Sequence, residues 1–285
     1  MMMKKNLYRG EKIGAKMKIE VLITTMHQKD ASKYKEMNLQ TDAVIANQAD
    51  RNETVTDIID GKNVKLVTTD TRGVSKNRNI AIENISEDTD YVIFADDDLR
   101  FCDGYGQKVI SILEQLPQAD AVKFNLNCIS ERKISMKTIT QTKKVSRREV
   151  TSWGVCVIAV KARVFRDKKM RFNERFGPGT ENYCGEDSIF LQELFKNGLC
   201  IYTSPECIAE IDQTDSSWFE GHNAKYFKVA GMILSEIYPV LCYPLIIRSA
   251  YKFSKRKDCK LSFVEILKCY YKGIKENKAE RKNIL

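Results

Sequence analysis

The sequence predicts an open, mainly parallel α/β sheet, and three observations carry that expectation. Short runs rich in β-branched residues recur with helix-length gaps between them. Polar residues collect where those runs end. The chain is 285 residues long and 43% hydrophobic, enough for a sizeable core in one large α/β domain or two small ones.

The strands expected first are KIEVLITT (18–25), DAVIANQ (42–48), NVKLVTT (63–69) and DYVIFA (90–95). Between the first two, Asp30 to Leu39 reads as a helix with Tyr34 and Met37 three apart. Between the last two, Ser75 to Ile85 places Ala81, Ile82 and Ile85 on one side. A further helix before Pro117 would bury Val109, Ile112, Leu113 and Leu116. DAVKFNLNC (120–128) and WGVCVIAV (153–160) read as strands, separated by a Lys/Thr-rich hairpin or loop. Ser188 to Asn197 reads as a helix closed by Gly198, and LCIYT (199–203) as a strand. Ser217-Trp-Phe-Glu220 has the spacing of a capping box that opens a helical C-terminal part. The expected organisation is one domain over 17–215, with halves 17–128 and 129–215, followed by a basic helical extension over 216–285.

The net charge of +9 is unevenly placed. Arg248 to Leu285 carries twelve Lys/Arg against four acids, and Glu131 to Glu149 seven against two. The remainder is mildly acidic, so these read as basic appendages for an anionic partner or as solvated faces. The apolar stretch Val229 to Tyr251 contains Glu236, Pro239, Pro244 and Arg248, which argue against a free-standing membrane span. Together with the basic stretch after it, it fits docking on the inner membrane surface; packing on the protein's own core is the competing reading. The basic N-terminus has no apolar signal region, so the nine cysteines are expected as reduced thiols in a cytoplasm. Cys184 reads as a nucleophile or as loop filler.

In open α/β sheets ligands bind beyond the carboxyl ends of the strands. Thr24-Thr25, Asn47-Gln48, Thr69-Asp70 and Asp96-Asp97-Asp98 all fall there. Three adjacent carboxylates repel one another and call for a cation, a basic partner or raised pKa values. Hard oxygen ligands suit Mg²⁺ or Mn²⁺, which complete their shells with phosphate and water. The alternative is an acidic loop in which Asp97 or Asp98 caps the next segment. No GxGxxG or GxxxxGK[ST] is present, which disfavours dinucleotide and P-loop chemistry.

VLITTM, RGVSKNRNIAIE (72–83), FADDD (94–98) and FGPGTENYCGEDSIF (176–190), in this order, resemble a family 2 glycosyltransferase of the GT-A fold. SSWFEGHNAKYF (216–227) is also similar to a branch found in bacterial capsule and cell-surface polysaccharide synthesis. The resemblance implies an inverting, Mn²⁺- or Mg²⁺-dependent transfer from a nucleotide-sugar to a glycan or lipid-linked acceptor. It implies Asp98 as metal ligand, with Asp96 and Asp97 supporting the metal, ribose or donor sugar. Arg78, with Lys76 and Asn79 as weaker candidates, would reach the ribose or diphosphate. Thr24, Asn47, Gln48 and Asp70 would line the nucleotide pocket. The family's usual acid after the second strand is replaced by Asn47-Gln48, with Asp50 two further on. An amide can still pair with uracil, so the choice of base is open and UDP is the default nucleotide. Asp187 would be the general base and Glu186 its neighbour orienting acceptor or loop. Simple capping of the following helix by Asp187 is the alternative. Trp153 and Gly154 would face the acceptor, or Trp153 would be core like Trp218. His222 would be a further metal ligand, in competition with Asp212 and Asp215.

Two rival functions remain at this point. A sugar-nucleotide nucleotidyltransferase also uses acidic strand tips and Mg²⁺, but VLITTMHQKD lacks the glycine-rich signature expected of one. A basic nucleic-acid-binding module would have to set the acidic triplet against a polyanion, so no nucleic-acid partner is expected.

Overall fold

The structure, a computed structural model, describes residues 17–129, 138–212 and 221–284. The capping-box residues 217–220, Asp215 and Trp218 lie outside the described residues.

The first half builds β1 (Ile19–Met26), α1 (Lys33–Glu36), β2 (Asp42–Gln48), β3 (Glu53–Ile59), β4 (Lys62–Thr69), α2 (Val74–Glu83) and β5 (Tyr91–Asp96). β4, β2, β1 and β5 form a contiguous parallel block. β1 and β2 are buried on both faces, apart from Met26 at the end of β1, as parallel strands covered by helices must be. α1 is a single turn rather than the expected ten-residue helix, because Asn38 adopts φ +55° and ends it. β3 was not anticipated. It pairs antiparallel with β4 across Asp60-Gly61, both at positive φ, and forms an exposed edge.

The second half continues with β6 (Leu99–Phe101), α3 (Tyr105–Gln115), β7 (Ala121–Cys128), β8 (Lys143–Lys144), β9 (Ile158–Lys161), α4 (Arg163–Asp167), α5 (Glu186–Lys196) and β10 (Ile201–Ile211). The sheet order is β3-β4-β2-β1-β5-β9-β7-β10-β6, with β8 on β10. β9 runs antiparallel between β5 and β7 and joins the two parallel blocks. The strand expected from Trp153 starts only at Ile158. A 3₁₀ turn over Glu149–Ser152 precedes it, and Val157 sits at φ +52°, which breaks the extended run.

Two cores cover the sheet. One face packs Tyr34, Met37, Val109 and Leu113. The other packs Ala81, Ile82, Phe165, Phe190, Leu191 and Leu194. Within the second, Phe94 makes edge contacts with Phe165, Phe172 and Phe190 at ring distances of 5.4–5.8 Å.

α6 (Ala224–Ile237), α7 (Cys242–Ser254) and α8 (Phe263–Ile284) complete the chain. Asn223 caps α6 by accepting the Tyr226 N–H at 2.9 Å. α6 and α8 touch backbone to backbone: a Cβ on Gly273 would lie 1.9 Å from the Lys228 carbonyl oxygen, and one on Gly231 2.3 Å from that of Tyr270. The basic end of the chain therefore packs on the protein with one face, burying Ile266, Tyr270 and Ile274. Gly273→Ala should force these helices apart and lower stability by about 2 kcal/mol or more. Urea unfolding measures this, and an unchanged midpoint would refute the close crossing.

Candidate functional site

The parallel register lines up the strand ends. Thr24 lies beside Asp96, Thr25 beside Asn47, and Gln48 beside Thr69. The Thr24 hydroxyl donates to Asp96 Oδ1 at 2.9 Å, and that of Thr25 to Asp97 Oδ2 at 2.5 Å. Asp98 has neither a hydroxyl nor a guanidinium partner among the described residues. Partial desolvation, with the adjacent charges of Asp96 and Asp97, pushes it up to about 6. Of the three carboxylates, it is the one the site leaves wanting a cation.

The start of α2 stitches the site together. Ser75 donates to the Phe176 carbonyl at 2.7 Å, and Asn77 to those of Ala46 and Thr25 at 2.8 and 3.2 Å. The Asn79 amide exchanges two bonds with the backbone of Phe172. Arg78, 3% exposed, lies at the centre. It donates to Asp187 Oδ1 at 2.5 Å and to Asp96 Oδ1 at 3.1 Å, with Glu186 at 3.7 Å. Its guanidinium also lies 5.2 Å from the centre of the Phe172 ring. Burial alone would lower its pKa, but Asp187 and Asp96 more than reverse that and keep it charged. Asp96, which burial alone would raise, is held below the ordinary carboxylate range by Arg78 and by hydrogen bonds from Cys156 and Thr24.

The second acidic pair arrives on the first turn of α5, two residues earlier than expected, with Gly185 as N-cap at φ +100°. Neither Glu186 nor Asp187 caps the helix through its side chain; both lie where the helix dipole favours anions. Gly185 is required twice over, since a Cβ there would fall 2.3 Å from Ile233 of α6. Glu186 is buried, and desolvation, with the charge of Asp187, raises its pKa. The second oxygen of Asp187 accepts the Val155 N–H at 3.1 Å.

That N–H belongs to the turn after Trp153. Trp153 packs half-buried on the second core, while Gly154 lies against Asp187, 3.3 Å from where its Cβ would be. Lys123 clasps the turn by donating to the carbonyls of Gly154 and Cys156 at 3.0 and 2.5 Å. The Cys156 thiol donates to Asp96 Oδ2 at 3.2 Å and stays protonated, its pKa raised by burial and by Asp96. Val157 is fully buried, and its left-handed backbone is the strained part of this turn.

Thr24, Arg78, Asp96, Asp187, Glu186 and Gly154 thus converge in one site, with Asp97 and Asp98 beside it on the β5 tip. Other expected residues serve differently. Asn47, fully buried, exchanges two 2.9 Å bonds with the backbone of Gln28, and Gln48 donates to the Gly73 carbonyl at 2.8 Å. These amides fix loops rather than face a base. Asp70 and Lys76 are exposed at the rim. Asp50, also exposed, pairs with Arg72 at 2.5 Å. His222 does not join the tip: its Nδ1 meets Asp258 at 3.1 Å and its ring packs near Tyr226 and Phe253. Burial, with Glu186 nearby, pushes Cys184 up to about 11, so it is a neutral thiol rather than a nucleophile. The sequence places Thr25 at this strand end without a role, and its bond to Asp97 supplies one. Lys123 and Cys156 carry no local signal and were missed.

Residues 39–197 match the model for glycosyl transferase family 2. The chain belongs to that family. No curated protein matches the chain in sequence. Among solved structures it resembles Staphylococcus aureus TarS residues 1–349 in complex with UDP-GlcNAc, with 14% identity and a TM-score of 0.58. That match covers 77% of this chain and 66% of the other. The UDP complex of the same fragment gives 15% identity and a TM-score of 0.56 over 77% and 65% of the two chains. Full-length TarS gives 15% and 0.57 over 85% of this chain and 44% of its own. This chain therefore spans just under two thirds of the fragment and less than half of the whole protein. The likeness establishes the GT-A fold.

Family 2 enzymes often use divalent metals. Among the described residues no three His, Cys, Asp or Glu side chains stand together as a metal site. Asp96 is engaged by Arg78, Thr24 and Cys156, and Asp97 by Thr25. That donor set still fits Mg²⁺ or Mn²⁺, which take one or two protein carboxylates and complete their shell from phosphates and water.

Replacing Arg78 with Met should destabilise the fold by about 3–5 kcal/mol, because buried carboxylates lose their countercharge. In the wild type Asp96 is depressed, so its contribution is present above about pH 4 and fades as pH falls through its folded pKa. In the variant Asp96 and Glu186 would both be raised, so acidification from pH 8 to 5 should narrow the gap to wild type. A gap that stays constant in chemical denaturation across that range would contradict the central role of Arg78.

Proposed function

We propose that the protein is an inverting, metal-dependent glycosyltransferase that moves a sugar from a UDP-sugar to a hydroxyl of a glycan or lipid-linked acceptor in bacterial surface polysaccharide synthesis. The observation that carries this reading is the pairing of two acidic stations across Arg78. Asp98 stands exposed and underneutralised on the donor side, and Asp187 is held against the Gly154 turn on the other. Family membership and the UDP and UDP-GlcNAc complexes of TarS support the donor class. Nothing in the site favours the nucleotidyltransferase alternative.

In this reading Thr24, Asp96 and Asp97 hold the β5 tip rigid, and the exposed Lys76 and Asp70 flank the incoming nucleotide. A divalent cation on Asp98 and the donor's diphosphate would neutralise the departing nucleoside diphosphate. Asp187 takes the proton of the acceptor hydroxyl. Both its oxygens are engaged, so it exchanges the Val155 N–H or one Arg78 contact for that hydroxyl, and Arg78 then stabilises the site through its remaining contacts. Trp153 and Gly154 border the acceptor. Among the described residues no helix is long and apolar enough to cross a membrane. We place the protein in the cytoplasm, peripheral to the inner membrane face where a lipid-linked acceptor would lie.

A panel of nucleoside diphosphates in a thermal shift assay tests the donor site. UDP with Mn²⁺ at 100 times its dissociation constant should stabilise the protein by roughly 2.7 kcal/mol, and Asp98→Asn should abolish the metal-dependent part. Protons compete with metal at Asp98, so metal affinity should hold above pH 6 and fall on acidification through it. No shift with any nucleotide would defeat the reading.

Asp187→Asn should retain donor binding while slowing transfer roughly 10²–10⁴-fold. Near-normal turnover would remove Asp187 as the base.

A further inference from the structure

α7 and α8 lie antiparallel, with Tyr243 beside Lys278 at one end and Ser249 bonded to Tyr270 further along. Their inner faces bury Ile246, Ala250, Ile266 and Tyr270. Their outer faces mix large apolar residues with basic ones, where those of surface helices are normally polar throughout. On α7 the exposed residues Tyr243, Ile247 and Tyr251 recur every four positions, beginning just after the equally exposed Val240 and Leu241. On α8 Val264 and Tyr271 are exposed and line the groove beside α7. Between the helices runs an open groove of about 560 Å³ floored by Ile246 and Leu267. A contiguous apolar surface of this kind on a charged protein marks an interaction site.

Its rim is one-signed. Arg248 and Lys252 flank the α7 stripe, and Lys268, Lys272 and Lys275 line the α8 side. The four acids of this region are engaged by other groups, although Glu265 also lies close to a rim lysine, Lys268. Asp258 meets Arg256 and His222, Glu265 caps through Ser262, Glu276 meets Lys228, and Glu280 meets Arg175. A second copy docking here by two-fold symmetry would bring lysines against lysines. An anionic bilayer instead takes apolar residues into its acyl boundary, tyrosines at its interface and lysines against its phosphates.

We propose that the outer face of α7 and α8 is a docking surface for an anionic lipid bilayer. This deepens the membrane-peripheral part of the functional reading and specifies the contact as two packed helices rather than a loose tail. Removing α8 would not test it, because Tyr270 and Ile274 would leave the core.

The full chain should co-sediment with vesicles of phosphatidylcholine mixed with phosphatidylglycerol, and far less with phosphatidylcholine alone. Neutralising Lys268, Lys272 and Lys275 to Gln should weaken that partitioning by about 100-fold, given the usual contribution of each basic residue near such a surface. Ile247→Ser with Tyr251→Ser should also release the protein; both sites are exposed, so both variants should keep the wild-type melting temperature. Equal binding to neutral vesicles, or none to either kind, overturns the proposal. So does a dimer in light scattering that the Ile247 and Tyr251 substitutions abolish. The assay contains neither donor nor acceptor, so its failure would leave the transferase reading standing, and the nucleotide assay could fail without touching this one.

Discussion

A single buried guanidinium holds the site in place. Arg78 sits where the β5 tip and the first turn of α5 converge on α2, and each of those segments brings carboxylates that would repel the others without it. Its position is supported from beneath by the Phe172 ring and by the aromatic cluster around Phe94. The planar fork lets one side chain address Asp96 and Asp187 in different directions, which a lysine's point charge could not do. Asp98 stays outside this arrangement: desolvation and the charges of Asp96 and Asp97 raise its proton affinity, while Arg78, Cys156 and Thr24 lower that of Asp96.

The C-terminal helices belong to the same construction. Ile233 of α6 closes over Gly185 immediately ahead of the acidic pair. Arg175, at the start of the glycine-rich segment, reaches Glu280 and Asn277 of α8, each at 2.6 Å. Asn277 in turn bonds Ser235 and Glu236 of α6. The loop presenting Glu186 and Asp187 is therefore fixed from one side by α2 and from the other by α6 and α8. A surface on α7 and α8 that meets a bilayer would be mechanically continuous with the acidic pair at the start of α5.

Much of this was legible in the sequence, because a parallel strand buried on both faces has to be written in apolar residues. β2 was read to the residue, and β1, β4 and β5 to within one residue at each end. β3 escaped because it is an exposed edge with no apolar pattern, although Asp60-Gly61 is a hairpin signal. The run from Trp153 to Val160 looks like a strand by composition, yet Lys123 and Asp187 hold its first half in a turn. Side-chain purpose was the least legible. Asn47 and Gln48 lie at the right strand ends, but only their hydrogen bonds show that they anchor loops. His222 lies near residues that sequence order associated with the metal, yet its bond to Asp258 turns it toward the helical end.

The stitching by α2 has a consequence for how the chain becomes active. Ser75, Arg78 and Asn79 bond partners 101, 109 and 93 positions away, while the β1–β2 pairing beneath them joins residues about twenty apart. Contacts between distant parts of a chain must overcome loop-closure entropy and tend to form late. β1, β2 and β4 can therefore pair while the acidic pair is still unplaced. A nascent or partly unfolded chain would have these strand ends but no acidic pair opposite them, so assembly of the site would report completion of the whole fold.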